Sequence, residues 1–202
     1  MEDSGLWLIA ITPQATMPHE VHRLQQLIAA GFRYVHVRKP SMGEAELRSY
    51  LSAIPQELHP RLKLHSHFGL AREFAVGGLH LNHRYPVIPA GIDATRLSVS
   101  RSCHSLGELK AVSGCEYAFL SPIFDSISKT GYGSAFNPED LRRFFAENPQ
   151  CRNAVALGGV TTGHLRELRE WGFAGAAFLG FLFGAESERE FENRLEIIKN
   201  NT

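Results

Sequence analysis

The stretch from Tyr117 to Gly133, YAFLSPIFDSISKTGYG, concentrates groups suited to holding a phosphate. A short apolar run ends in a polar loop that carries Ser126, Ser128 and Lys129. Hydroxyls, backbone amides and one compact ammonium are the donors that a phosphate needs. A second group lies later in the chain. Gly158 and Gly159 precede Val160, Thr161 and Thr162 at the start of an amphipathic stretch, and Leu179-Gly180 closes another apolar run. Glycine lets the backbone approach an anion closely, and a helix start favours negative charge. A glycine pair alone makes only a tight turn. The matching position of Gly180 in the next unit favours a phosphate cradle.

Other apolar runs end in cationic or imidazole side chains. These ends carry His36, Arg38 and Lys39; His65, Ser66 and His67; His80, Asn82, His83 and Arg84; and Ser100, Arg101, Ser102 and His104. Carboxylates are nearly missing from them, Asp125 being the main exception. The whole chain balances 21 basic against 21 acidic residues, so this local excess points to a small anionic ligand. His36 and Arg38 alternate along one run and share a face, as do His65 and His67. That face is either the inside of a barrel or the underside of a helix. Zinc held by His65, His67 and His80 is conceivable, but the spacing is not diagnostic. An ordinary hydrogen bond is the commoner fate of a buried histidine. Cys103 beside His104 reads as a structural thiol, because neighbouring side chains usually diverge. His19, His22, His59 and His164 fall in helical or loop positions and are assigned to the surface.

The elements that must position these groups follow from hydrophobic periodicity. Strands are predicted at Leu6–Ile11, Tyr34–Arg38, Leu62–Ser66, Gly78–Asn82, Arg96–Ser100, Tyr117–Leu120, Asn153–Leu157 and Gly175–Leu179. Helices are predicted at Pro18–Ala30, Gly43–Ile54, Gly69–Val76, Ser105–Ser113, Pro138–Glu147, Thr162–Trp171 and Glu186–Lys199. Between the fourth and fifth strands only a proline-rich loop is evident. Eight strands alternating with helices over 1–202, with no linker, predict one single-domain α/β (β/α)8 barrel. A doubly wound open sheet is the runner-up. It would place its glycine-rich turn after the first strand, whereas the clearest glycine pair here is late.

Composition excludes several classes. A net charge of zero argues against nucleic acid or an anionic membrane as partner. Three cysteines without a CxxC pair indicate neither a disulfide framework nor a structural zinc site. With neither a membrane-length apolar run nor a signal-peptide pattern, a cytoplasmic location is expected.

In combination, the segments AGFRYVHVRKP, LKLHSHFGLA, GGLHLN, SVSRSCHSLGEL, EYAFLSPIFDSISKTGYG, AVALGGVT and GFAGAAFLG resemble the thiamine phosphate synthase and TenI superfamily over nearly the full length. The resemblance implies a (β/α)8 barrel. It also implies one of two activities. The synthase joins hydroxymethylpyrimidine diphosphate to thiazole phosphate and releases pyrophosphate; TenI-type relatives include a thiazole tautomerase.

The carry-over is uneven. The synthase ends its second strand with Q-x-R-x-K. Here Arg38 matches, His36 stands for the glutamine, Pro40 for the lysine, and Lys39 lies one place early. The synthase has Asn-Asp after its third strand, the Asp binding magnesium; here these are Ser66 and His67. A second magnesium Asp falls at Tyr85. The fifth-strand serine matches Ser102. The thiazole-phosphate loop keeps Ser126, Ser128 and Lys129, and the phosphate loops match at Gly158, Gly159, Leu179 and Gly180. The tautomerase's catalytic histidine falls at Pro122, so another base is needed, with His36, His65 and His67 as candidates.

The leading expectation is therefore a thiamine-biosynthesis protein of TenI type that binds thiazole phosphate, with thiazole tautomerase as its candidate activity. Its catalytic groups are His36, His67 and Lys129, and its binding groups are Arg38, Lys39, Ser66, Ser102, Ser126, Ser128, Lys129, Gly158, Gly159, Leu179 and Gly180. The alternative is the synthase, and a further one is a non-catalytic binder of a phosphorylated ligand. No cofactor is required by the sequence; magnesium would enter only for a synthase, and its usual acidic ligands are absent. The expected partners are small phosphorylated thiazole or pyrimidine substrates, with a homodimer compatible with the resemblance.

Overall fold

A computed structural model describes residues 5–125 and 136–201. The expected phosphate-loop residues Ser126, Ser128 and Lys129 lie outside the described residues. Eight parallel strands close into a barrel in the order of the chain. They are β1 (Trp7–Ile11), β2 (Tyr34–Val37), β3 (Leu62–Leu64), β4 (Gly78–Leu81), β5 (Ser98–Cys103), β6 (Tyr117–Leu120), β7 (Ala154–Ala156) and β8 (Gly175–Phe178). The outer helices are α1 (Glu20–Ala29), α2 (Glu44–Ser52), α3 (Leu106–Lys110), α4 (Pro138–Glu147), α5 (Leu165–Trp171), α6 (Gly180–Phe183) and α7 (Glu188–Lys199). None of the described helices is long and apolar enough to cross a membrane.

Local sequence explains the ends of these elements. Asn137 accepts a hydrogen bond from the Glu139 amide, and Pro138 opens α4 where no intrahelical donor is needed. Ser187 caps α7 through the Glu190 amide. The fifth strand runs later than its sequence pattern indicates, from Ser98 to Cys103, because its apolar content is low and its pairing with β4 and β6 defines it. The β4–β5 connection has only a single 3-10 turn, Ala94–Arg96, as the proline-rich loop implies. The stretch predicted as the helix Gly69–Val76 is a 3-10 turn, Phe68–Arg72.

Alternation along each strand separates two cores. Outward residues such as Val35, Val37, Leu64, Leu79 and Leu120 pack under the helices. Inward residues fill the barrel. On β1, β7 and β8 these are Ile9, Ile11, Val155 and Ala177; on β6 they are Tyr117 and Phe119. The inward residues of β2 to β5 are mostly polar and include His36, Lys63, His80 and Ser100, all buried.

Candidate active site at the barrel mouth

A cavity of ≈ 500 Å³ opens at the C-terminal ends of β2 to β6, the end of a (β/α)8 barrel that carries chemistry. Of the residues the sequence proposed for the site, Arg38, Lys39, Ser66, His67 and Ser102 lie along it. Arg84, Asn82, Gln14, Tyr85 and His104 line it too and were not among the predicted binding residues. Arg84 was visible at the end of the fourth strand, but a loop arginine has no periodicity to say where it points.

None of the described lining residues is Asp or Glu. Burial, followed by the charge of Arg84, lowers the pKa of the Arg38 guanidinium. Its backbone amide donates to Thr12 Oγ1 at 2.9 Å, which fixes the strand end beneath it. Asn82 holds the next turn by accepting from the amides of Arg84 and Tyr85 at 3.0 and 3.2 Å and donating to the His65 carbonyl at 2.8 Å. Two guanidiniums thus face one mouth whose described walls carry no compensating carboxylate, an arrangement that suits a multiply charged anion.

Lys39 departs from the expectation. Its ammonium is fully buried and donates to the Pro13 and Ala15 carbonyls at 2.9 and 3.2 Å and to Glu20 at 2.9 Å. Three donors are thereby used, so Lys39 ties the loop after β1 to α1 rather than reaching a ligand. Glu20 in turn accepts from the Tyr50 hydroxyl at 2.5 Å and the Met17 amide at 3.0 Å.

His67 lines the mouth in a left-handed conformation, φ 47°, with Nε2 3.0 Å from the Met42 carbonyl. His36 does not reach the cavity and lies one layer below it. Its Nδ1 is 2.8 Å from His65 Nε2, and its Nε2 is 2.6 Å from the Tyr117 hydroxyl. His80 completes the group, with Nδ1 2.9 Å from Ser100 Oγ and Nε2 2.8 Å from Ser102 Oγ. Burial pushes the pKa of His36 and His80 well below the ordinary histidine value and that of His65 down to about 3, with the nearby cationic and histidine charges adding to it. All three rings are therefore neutral near pH 7. The conceivable zinc set His65, His67 and His80 is not assembled; His36, not His67, joins the other two, with ligand atoms within 4.8 Å of one another. His65 and His80 stack at 4.2 Å and 23°, and His36 and His65 lie at hydrogen-bond distance. This geometry suits shared protons better than a common metal.

Beneath these rings, Lys63 donates to Ser98 Oγ at 2.5 Å and lies 3.8 Å from Glu116. Glu116 also accepts from Arg33, Tyr34 and Ser98. Burial brings the Lys63 pKa down to about 7 despite Glu116.

On the opposite side of the mouth, Gly158 and Gly159 adopt φ 94° and 65°. A Cβ at Gly159 would stand 2.3 Å from the Asp125 carbonyl oxygen, so the glycine lets the β6 and β7 loops touch. Phe124 donates its amide to the Gly158 carbonyl at 3.1 Å and stacks on His164 at 3.7 Å. Leu179 precedes α6, and Gly180 is its first residue. Two surface assignments are corrected here. His164 is a half-buried packing residue, and His59 is buried, bonding the Leu51 and Ile54 carbonyls at the end of α2.

The resemblance places two magnesium carboxylates at positions now occupied by His67 and Tyr85. Both side chains line the mouth, their rings 6.4 Å apart. Magnesium takes hard oxygen ligands, chiefly carboxylates and phosphates. A histidine, a tyrosine and two guanidiniums do not fit it.

Fold and mouth together define a (β/α)8 protein with a cationic pocket at the barrel mouth. Residues 8–181 match the family described as Thiamine monophosphate synthase, and the chain belongs to that family. The thiamine-phosphate synthase of Lactococcus lactis subsp. lactis is 23% identical over 199 residues, 94% of this chain and 90% of that protein. The thiamine-phosphate synthase of Nitrosospira multiformis is 28% identical over 204 residues, 93% and 82% of the two chains. The solved thiamine phosphate pyrophosphorylase of Bacteroides thetaiotaomicron superposes with a TM-score of 0.82, 29% identical and covering 97% of each chain. These relatives carry the name of the synthase, the alternative of the sequence reading rather than its leading one.

Proposed function

We propose that the chain is a thiamine phosphate synthase whose diphosphate site is built on arginine instead of magnesium. The observation that carries this reading is the pairing of Arg38 with Arg84 in a mouth whose described lining holds no carboxylate. The C–O bond between the pyrimidine methylene and the diphosphate breaks, and its electron pair stays with the diphosphate. The thiazole nitrogen lone pair forms the new C–N bond. Negative charge grows on the departing oxygen, and fixed guanidinium donors in a half-buried site stabilise that charge. The Gly158, Gly159 and Gly180 backbone would hold the thiazole phosphate on the far side, where the β7 and β8 loops of such barrels take phosphates.

One observation favours the tautomerase as a second reading. His104 Nδ1 lies 3.2 and 3.3 Å from the carbonyl and hydroxyl oxygens of Ser121, the residue before Pro122, and lines the mouth. It offers a base beside the position where the resemblance lacks one. The two readings separate by product. Purified protein is given both phosphorylated substrates, and separately the unaromatised thiazole phosphate, with products identified by mass and chromatography. Thiamine phosphate is expected from the first mixture. Aromatisation of the thiazole alone, with no thiamine phosphate, would replace the synthase reading by the tautomerase.

A further inference from the structure

The interior of the barrel holds a series of proton-sharing groups with both ends at the mouth. It runs from His65 through His36, Tyr117, Ser100 and His80 to Ser102. Four of the contacts measure 2.8, 2.6, 2.9 and 2.8 Å, and Tyr117 and Ser100 between them are register partners on neighbouring strands, both facing the barrel interior. His65 and Ser102 line the cavity. His65 Nδ1 has no protein partner among the described residues. An imidazole ring has one donor and one acceptor when neutral, and a hydroxyl can serve as both. Each interior member can therefore pass on the proton it receives.

With Tyr117 and its register partner Ser100 bonded, the series has only two self-consistent senses. In one, Ser102 donates to His80 Nε2, His80 Nδ1 to Ser100, Ser100 to Tyr117, Tyr117 to His36 Nε2, and His36 Nδ1 to His65 Nε2. His65 then presents Nδ1–H to the cavity. In the other sense every bond is reversed and all three rings carry their proton on Nε2. The surroundings keep the series uncharged in either sense. Arg38, Lys63, Arg84 and Arg101 surround it from β2, β3, the loop after β4 and β5, while β1, β7 and β8 offer only apolar side chains such as Ile11, Val155 and Ala177.

We propose that this series is a proton relay in which His65 donates to the departing diphosphate and is resupplied from Ser102 through the barrel interior. The idea rests on the synthase reading, because it needs a leaving group that gains negative charge. The balance closes on one proton. The diphosphate keeps the electron pair of the broken C–O bond and takes the Nδ1 proton of His65. Each member then receives the proton of the next, and Ser102 takes one from solvent. The relay ends in its second sense and resets by proton exchange at its two ends. Protonation supplies part of the charge neutralisation that no carboxylate-bound metal is placed to give here.

Two measurements test it. The first needs no turnover: nitrogen NMR of histidine-labelled full-length protein, which distinguishes Nδ1–H from Nε2–H rings. All three rings are expected in one common tautomer, with Tyr117→Phe releasing His36 from that pattern. Opposed tautomers in the wild type, for example His36 on Nε2 with His80 on Nδ1, would break the relay and overturn the proposal, whether or not the protein is a synthase. The second is the single-turnover rate of thiamine phosphate formation in light and heavy water. Tyr117→Phe, which keeps the ring and removes the hydroxyl, should lower the rate on the order of 100-fold. It should also abolish the solvent isotope effect and leave pyrophosphate affinity within a few-fold. An unchanged isotope effect would count against the relay. Thermal melting of the variant checks that it is folded. If no thiamine phosphate forms from the wild type while the tautomers are uniform, the synthase reading fails, and the relay is rejected as a donor to diphosphate.

Discussion

The two halves of the barrel interior are built on opposite principles. Where β1, β7 and β8 face inward, the contents are Ile9, Ile11, Val155 and Ala177, apolar and buried. Where β2 to β5 face inward, the contents are His36, Lys63, His80, Ser98 and Ser100, all hydrogen-bonded. Tyr117 and Phe119 on β6 form the seam, their rings 5.7 Å apart. Burying polar groups is costly unless each finds a partner, so the polar half is held by bonding geometry and the apolar half by shape. The mouth follows the same division. Its arginines and histidines sit above the polar half, and its glycine loops sit above the apolar half.

A charge placed in the apolar half should have the largest effect. Val155→Asp leaves a carboxylate among side chains that cannot pair with it, at a cost of about 3–5 kcal/mol. Loss of the cooperative urea transition, followed by circular dichroism, is expected; a fully stable variant would show that this half is wetter than described. Next comes the mouth. Arg38→Ala should weaken pyrophosphate binding by about 2–4 kcal/mol, with Arg84→Ala close behind, both read by calorimetry. An effect confined to one of them would dissolve the pair.

The polar half should also set the acid limit of stability. His65, with a folded pKa of about 3, and His36 and His80, also lowered, are neutral when folded but protonate when unfolded near the ordinary value of about 6.5. The unfolded state therefore binds more protons as pH falls below about 6.5. Stability is full above that value and is lost on the way down towards 3, by up to about 1.4 kcal/mol per pH unit for each ring. Urea midpoints at pH 7, 6 and 5 should fall in that order, and His80→Gln should flatten the slope. Near neutral pH the smallest effect is expected of Lys63→Met. Glu116 keeps Arg33, Tyr34 and Ser98 as partners, and an apolar stem of similar length fills the space, so stability near pH 7 should move by about 1 kcal/mol or less. What should disappear is a pH dependence. Wild-type Lys63, lowered to about 7, makes stability fall as pH drops from about 10.4 to 7 and level off below. The variant should lack that contribution.

Much of this division was legible in the residues. The alternation of His36 with Arg38 and of His65 with His67 gave the shared faces, and eight apolar runs gave the strands. Periodicity could not say which face looks inward, since Val35 and Val37 alternate as cleanly as Tyr34 and His36; closure of the sheet decides it. Lys39 looked like a ligand group because nothing local marks Glu20, nineteen residues earlier, as its partner. Arg84 was the reverse case, a loop residue brought beside Arg38 only by the order of the strands. His59 and His164 were misplaced because a helical or loop position does not by itself imply exposure.

The central claim is that arginine has taken over the work of a carboxylate-bound metal. It is tested most directly by thiamine phosphate formation from both phosphorylated substrates in the presence of a chelator, compared with a magnesium titration. The account predicts product with the chelator present and a rate that magnesium changes by no more than a few-fold. Formation that requires magnesium, and follows its concentration to saturation, would contradict it.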